Sequence, residues 1–126
     1  GAQMEGALDA LARYDIVFVH IEAPDEAGHG GALAAKVKAI ERVDAEAASR
    51  LRHYPGELRV LIMPDHPTPI SVRTHTADPV PFLIWGSGVK PNGALRFTEA
   101  QASRTGVHIA EGYKIIPRLL KGPSGL

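Results

Sequence analysis

The 126-residue chain balances fourteen basic against fourteen acidic residues, is 44% hydrophobic and 22% charged, and contains no cysteine. Zero net charge leaves no electrostatic footprint for nucleic acid or an anionic membrane, and no apolar run approaches the roughly 20 residues of a membrane-spanning helix. The lack of cysteine removes disulfides and thiolate metal sites and fits a cytoplasmic protein, so six histidines are the one unusual feature of an otherwise ordinary soluble domain.

The start, Gly1-Ala2-Gln3-Met4, lacks the basic and apolar regions of a signal peptide and reads as a position inside a longer protein. Tyr14 to Ile21 is short, β-branched and almost continuously apolar, which predicts a strand buried on both faces of a parallel sheet. A polar loop, Glu22 to Gly31, is expected next. Leu33, Val37, Ile40, Val43, Ala47 and Leu51 then recur at spacings of three and four, predicting a helix that stops at Pro55-Gly56. Arg59 to Met63 reads as a second strand, completing a right-handed parallel strand–helix–strand unit. A third strand, Val80 to Trp85, carries Pro81 near its start or on an edge. Thr98 is expected to cap a short helix at Glu99-Ala100-Gln101. A last helix is expected over Ile109 to Leu120, kinked or divided at Pro117. Gly122 to Leu126 reads as a frayed tail. Three strands and one long helix cover a parallel sheet thinly, so the fold expected is α/β: part of a larger, mostly parallel sheet with flanking helices.

Three segments at or after strand ends carry the candidate chemistry, and ligands bind at that edge of open α/β sheets. Asp25 and His29 follow the first strand, Asp65 and His66 end the second, and His75 precedes the third. Asp and His are the mixed oxygen and nitrogen donors that suit Zn²⁺ or Mn²⁺. The D-x-x-x-H spacing turns both side chains to one point if the backbone coils there, with Gly28 easing a close approach, and Pro64 and Pro67 bend the chain around Asp65-His66. Any one of these residues alone is more readily a cap or a surface group; it is their convergence on one edge that argues for metal. His20 reads as a hydrogen-bonded strand residue, His53 as a cation near a helix C-terminus, and His108 has no functional argument. Glu22 and Glu26 flank the site, in supporting or merely solvated roles. Thr68, Ser71, Thr74 and Thr76 are conceivable hydroxyl nucleophiles, but none sits in a strand-to-helix nucleophile turn, and turn formation and ligand support is the better reading. No phosphate-binding glycine loop of the P-loop or dinucleotide type is present.

Val19 to Gly31 (VHIEAPDEAGHGG), Pro64 to Pro69 (PDHPTP) and Thr74 to Phe82 (THTADPVPF), with Phe97-Thr98-Glu99 and Glu111-Gly112, resemble the cofactor-independent phosphoglycerate mutases. The similarity is to their archaeal-type branch, within the alkaline phosphatase superfamily, and runs from about Tyr14 to the final helix. It implies that Asp25, His29 and His75 hold one divalent metal ion, and that Asp65 and His66 hold a second together with an Asp and a Ser from elsewhere. The ions would be Mn, Zn or Mg, with no 2,3-bisphosphoglycerate. The family moves the phosphoryl group of 3-phosphoglycerate to that Ser and back to the other hydroxyl, a cytoplasmic step of glycolysis; two ions about 3.5–4 Å apart suit such a transfer. The resemblance further implies that residues 1–126 are the C-terminal part of the metal-binding phosphatase-like domain, without the nucleophile-bearing N-terminal segment or the inserted substrate-binding domain, and inactive alone. Two other readings stand beside it. One is a related phosphotransferase such as a proposed homoserine kinase, older descriptions also naming phosphonopyruvate decarboxylase. The other is a non-catalytic metal-binding fragment that self-associates through open sheet edges.

Overall fold

The computed structural model describes residues 1–122, so the expected tail lies outside the described residues from Pro123 onward. The chain divides into two compact units, one of Gly1–Pro55 with Thr68–Thr76 and one of Gly56–Pro67 with Ala77–Leu126.

The first unit opens with helix α1, Ala2–Leu11, an element the sequence reading left unassigned although its Ala and Leu are strong helix formers. Met4 on this helix is buried. The stretch expected to be the first strand follows, and it joins no ladder among the described residues. A strand buried on both faces needs hydrogen-bonding neighbours, and none is supplied to Tyr14–Ile21 here; Phe18 is accordingly 76% exposed, with Tyr14, Ile16, Val19 and Ile21 exposed beside it. The segment expected to be a loop instead forms helix α2, Ala23–His29, with Pro24 in its first turn, where a missing N–H is harmless.

Helix α3, Leu33–Val43, runs through a π-helical segment, Asp44–Ala48, into α4, Ser49–Arg52. The single expected helix is therefore present but widened in its middle. Ala47 is buried in the widened part, whereas Leu33, Val37 and Ile40 remain exposed, so the apolar stripe is only partly covered. His53 ends the helix, its Nδ1 2.6 Å from the Ser49 carbonyl.

In the second unit, β1 (Arg59–Ile62) and β2 (Leu83–Gly86) pair antiparallel, from Arg59 opposite Gly86 to Ile62 opposite Leu83. This is the only ladder among the described residues. The mostly parallel sheet and its strand–helix–strand unit are thus not formed within them, because the first of the three expected strands has no partner. Gly86 has φ +125°, and a Cβ there would lie 2.0 Å from the Leu58 carbonyl oxygen. Glycine at this position lets the ladder close, with Ser87 N–H donating to Leu58 O at 2.8 Å. Helix α5, Glu99–Arg104, is capped as expected: Thr98 accepts from Gln101 N–H. A 3₁₀ turn, Gly112–Lys114, leads into α6, Ile115–Lys121. The α-helical part of the expected Ile109–Leu120 helix thus begins only at Ile115, and Pro117 falls in its first turn, where the missing N–H is harmless. Ile115 is buried, and Arg59 donates to the Leu120 carbonyl at 3.0 Å. No described helix is long and apolar enough to cross a membrane.

Candidate metal centre

The centre of the first unit is built on α2. Residues four apart on a helix share a face, so the coil from Ala23 to His29 puts Asp25 and His29 side by side, with Asp25 Oδ2 3.4 Å from His29 Nε2. His75 comes from the Thr68–Thr76 segment of the same unit. Its Nε2 lies 3.2 Å from His29 Nε2 and 3.5 Å from Asp25 Oδ1, the two rings tilted at 52°. One donor atom from each of the three falls within 4.8 Å of the others.

Two local features make this convergence possible. The first is Gly28, whose added Cβ would lie 2.5 Å from the Thr68 carbonyl oxygen. No other residue lets α2 come this close to the Thr68 segment. The second is Arg73, which has φ 58° and is the non-glycine residue of positive φ among those described. Its N–H donates to Pro69 O at 2.8 Å, and its own carbonyl faces His29 Nδ1 at 3.0 Å. A carbonyl only accepts, so Nδ1 carries the hydrogen in this contact, and Nε2 is the ring nitrogen turned toward His75 and Asp25. That is the arrangement metal-bound histidines commonly show. Backbone held in the left-handed region costs on the order of 1–2 kcal/mol and persists where its surroundings impose it.

The donor chemistry fits a divalent cation. Donors bonded to one ion at about 2.0–2.1 Å with tetrahedral angles stand about 3.3 Å apart, and the contacts between these side chains are 3.2, 3.4 and 3.5 Å. All three residues are partly exposed, which leaves room for a further ligand from solvent or substrate. Thr68 is part of the setting as well: its hydroxyl donates to Asp25 Oδ1 at 2.5 Å, while Lys36 Nζ donates to its carbonyl.

Asp65 and His66 belong to the second unit, just past β1. They face one another: His66 N–H donates to Asp65 Oδ1 at 3.1 Å, and Asp65 Oδ2 lies 3.4 Å from His66 Nε2. The Asp65 side chain is 71% exposed. His20 is also exposed and lies near Glu22, 3.4 Å away, rather than in a ladder. Sequence reasoning did not single out Lys36 or Arg73. Nothing in the sequence marks a left-handed arginine, and a lysine on a helix normally reads as a solvated charge.

A family model described as the metalloenzyme superfamily matches residues 2–111. The chain is 46% identical over 124 residues to the 2,3-bisphosphoglycerate-independent phosphoglycerate mutase of Methanothrix thermoacetophila, covering 95% of this chain and 32% of that protein. With the enzyme of the same name from Methanosarcina acetivorans it shares 43% identity, over 91% of this chain and 30% of the relative. A solved protein structure from Pyrococcus horikoshii superposes with a TM-score of 0.89 at 36% identity, over 95% of this chain and 37% of that one. The chain thus spans about a third of the length of the curated relatives it matches.

Proposed function

The chain belongs to the metalloenzyme superfamily, and we propose that within a longer protein it supplies the metal ligands of a cofactor-independent phosphoglycerate mutase. In this reading Asp25, His29 and His75 hold one divalent ion, Mn²⁺ or Zn²⁺ by donor type. Asp65 and His66 serve a second ion together with donors from the rest of the protein. The substrate is 3-phosphoglycerate, isomerised to 2-phosphoglycerate in cytoplasmic glycolysis. The single observation that carries the reading is the triad, with three donor side chains gathered to contact and His29 Nδ1 facing the Arg73 carbonyl so that Nε2 is turned to the other two. The relatives that bear the mutase name support the choice of reaction.

The chain's own residues supply orientation and charge. Asp25 brings a carboxylate beside two imidazoles, a mixed oxygen and nitrogen donor set that suits a divalent cation. His29 is held at Nδ1 by the Arg73 carbonyl, so its Nε2 faces the other two donors before any ligand arrives. Ions bound at such ligands stabilise the charge of a transferring phosphoryl group and activate a hydroxyl at neutral pH. The nucleophilic hydroxyl is assigned to the longer protein. The apolar, exposed and unladdered Tyr14–Ile21 supports the same picture, as a strand of a parallel sheet that the longer protein completes.

The test uses the full-length protein carrying this chain, stripped of metal and reloaded with Mn²⁺. Conversion of 3-phosphoglycerate, followed by phosphorus NMR, is expected in the wild type and lost in Asp25→Ala. A metal-loaded wild type that leaves 3-phosphoglycerate untouched, or an alanine variant as active as the wild type, would overturn the assignment.

A further inference from the structure

Thr68 is the polar residue buried most deeply among those described, at 5% exposure. Its surroundings hold it from several sides. Pro67 and Pro69 flank it and restrict the backbone on either side. Lys36 Nζ reaches from α3 to its carbonyl oxygen at 2.5 Å. Gly28 lies against it so closely that an added Cβ would meet Thr68 O at 2.5 Å and Thr68 Cγ2 at 3.0 Å. From this fixed position the hydroxyl donates to Asp25 Oδ1 at 2.5 Å, the short distance usual for a hydroxyl on a carboxylate.

Resting on the metal reading of Asp25, we propose that Thr68 is the positioning residue for that ligand. A carboxylate on a short stem rotates freely about its last bond, and both oxygens can point away from an ion. The Thr68 hydroxyl fixes Oδ1, and with it the plane of the group, so that Oδ1 lies 3.5 Å from His75 Nε2 and Oδ2 3.4 Å from His29 Nε2. Both edges of the carboxylate then face the imidazole nitrogens before a cation binds. Thr68 does not act as a nucleophile in this arrangement, because its proton is directed into Asp25 and the residue is buried. Ligand-orienting partners of this kind are worth about 10–100-fold in metal affinity.

The competing role is packing alone, and two substitutions separate the two. Thr68→Val keeps the shape and removes the hydroxyl, whereas Thr68→Ser keeps the hydroxyl and removes the methyl. Zn²⁺ affinity of the 126-residue chain is measured by competition with a chromophoric chelator, and ligand geometry by the visible absorption of the Co²⁺-loaded chain. We expect Thr68→Val to weaken Zn²⁺ by about 10-fold or more and to alter the Co²⁺ bands, with Thr68→Ser within about threefold of the wild type and spectrally the same. Valine binding as the wild type with an unchanged spectrum overturns the proposal. So does serine falling as far as valine. Should circular dichroism show the valine variant unfolded, the serine variant decides, since an altered Co²⁺ spectrum with the hydroxyl retained contradicts the role. Asp25→Ala is the reference: if it binds Zn²⁺ as tightly as the wild type, the metal reading itself fails. If it loses Zn²⁺ while Thr68→Val keeps it, only the role of Thr68 fails.

Discussion

The two units each carry an Asp and a His near one another, yet they present them differently. In the first, Asp25 and His29 sit four apart on a helix, and a third donor reaches them from a loop turned by a left-handed Arg73. In the second, Asp65 and His66 are neighbours in sequence, with His66 N–H donating to Asp65 Oδ1 and Asp65 Oδ2 3.4 Å from His66 Nε2. A helical turn separates two side chains just enough to hold an ion between them, whereas adjacent residues past a strand end close onto one another unless something else draws them apart. The first group therefore brings three candidate donors together as it stands, whereas the contacts described for the second are those of an adjacent pair.

The sharpest way to break this contrast is to remove one donor from each group and measure the tightest Zn²⁺ or Mn²⁺ site of the chain. On the proposed ligand set, Asp25→Ala takes away one of three gathered donors and should weaken that site by more than about 100-fold, beyond the usual cost of losing an orienting partner. Asp65→Ala should leave it within about threefold. Equal losses from the two substitutions would show that the groups do not differ in the way their geometry implies.

Next in size are the glycines that let each unit close. At Gly86 a methyl would meet the Leu58 carbonyl oxygen at 2.0 Å in a left-handed backbone, and at Gly28 it would meet Thr68 O at 2.5 Å in ordinary helical backbone. Overpacking typically costs about 1–3 kcal/mol, and the positive φ adds about 1–2 kcal/mol at Gly86. Gly86→Ala should therefore lower the denaturation midpoint more than Gly28→Ala does. Metal affinity should follow the opposite order, because only Gly28 lies against the residue that supports Asp25. A glycine variant that reversed either order would sink the division of roles between the units.

The difference between the regions also governed what could be read in the sequence. Thr98 was legible as a cap because capping depends on a hydroxyl three residues before an amide, and the structure has that bond. The period-3.6 stripe from Leu33 to Leu51 was legible as a helix, although its π-helical middle was not, since one extra residue in a turn leaves no mark in the apolar pattern. Helix α2 was missed because glycines and a proline outweighed the i, i+4 spacing of Asp25 and His29, the very feature that made them candidates. The Tyr14–Ile21 strand was read from its apolar run, but a ladder needs neighbours that a single segment cannot specify. The five Asp and His candidates were all visible, and the resemblance already grouped Asp25, His29 and His75; what the residues alone did not show is how the three meet, which depends on the φ of Arg73 and the bareness of Gly28.

A smaller effect tests the second unit alone. Thr98→Ala removes the side chain that accepts from Gln101 N–H at 3.2 Å, a loss worth about 1 kcal/mol, and thermal denaturation should register it. Metal affinity should not change, since α5 carries none of the donors. A change in Zn²⁺ binding on this substitution would mean that the first group's preformed shape depends on order elsewhere in the chain.

The smallest expected change in stability comes from the residue that gives the first group its shape. Arg73→Gly relieves about 1–2 kcal/mol of left-handed backbone and adds about 0.5–1 kcal/mol of unfolded-chain entropy. The net should be a gain of about 0–1.5 kcal/mol. The carbonyl that accepts from His29 Nδ1 stays in place, so Zn²⁺ affinity should hold within about threefold. Arg73→Val removes the same guanidinium but puts a β-branched residue where φ is 58°. It should destabilise the unit and, by swinging the carbonyl away, weaken the metal by about 10-fold or more. The pair isolates the backbone from the charge. If glycine loses metal as valine does, the guanidinium lying over Gly31 is what matters, and the carbonyl is incidental. If only valine loses it, the strained peptide is what sets the His29 tautomer, and the contrast between the two Asp–His groups reduces to one residue's φ.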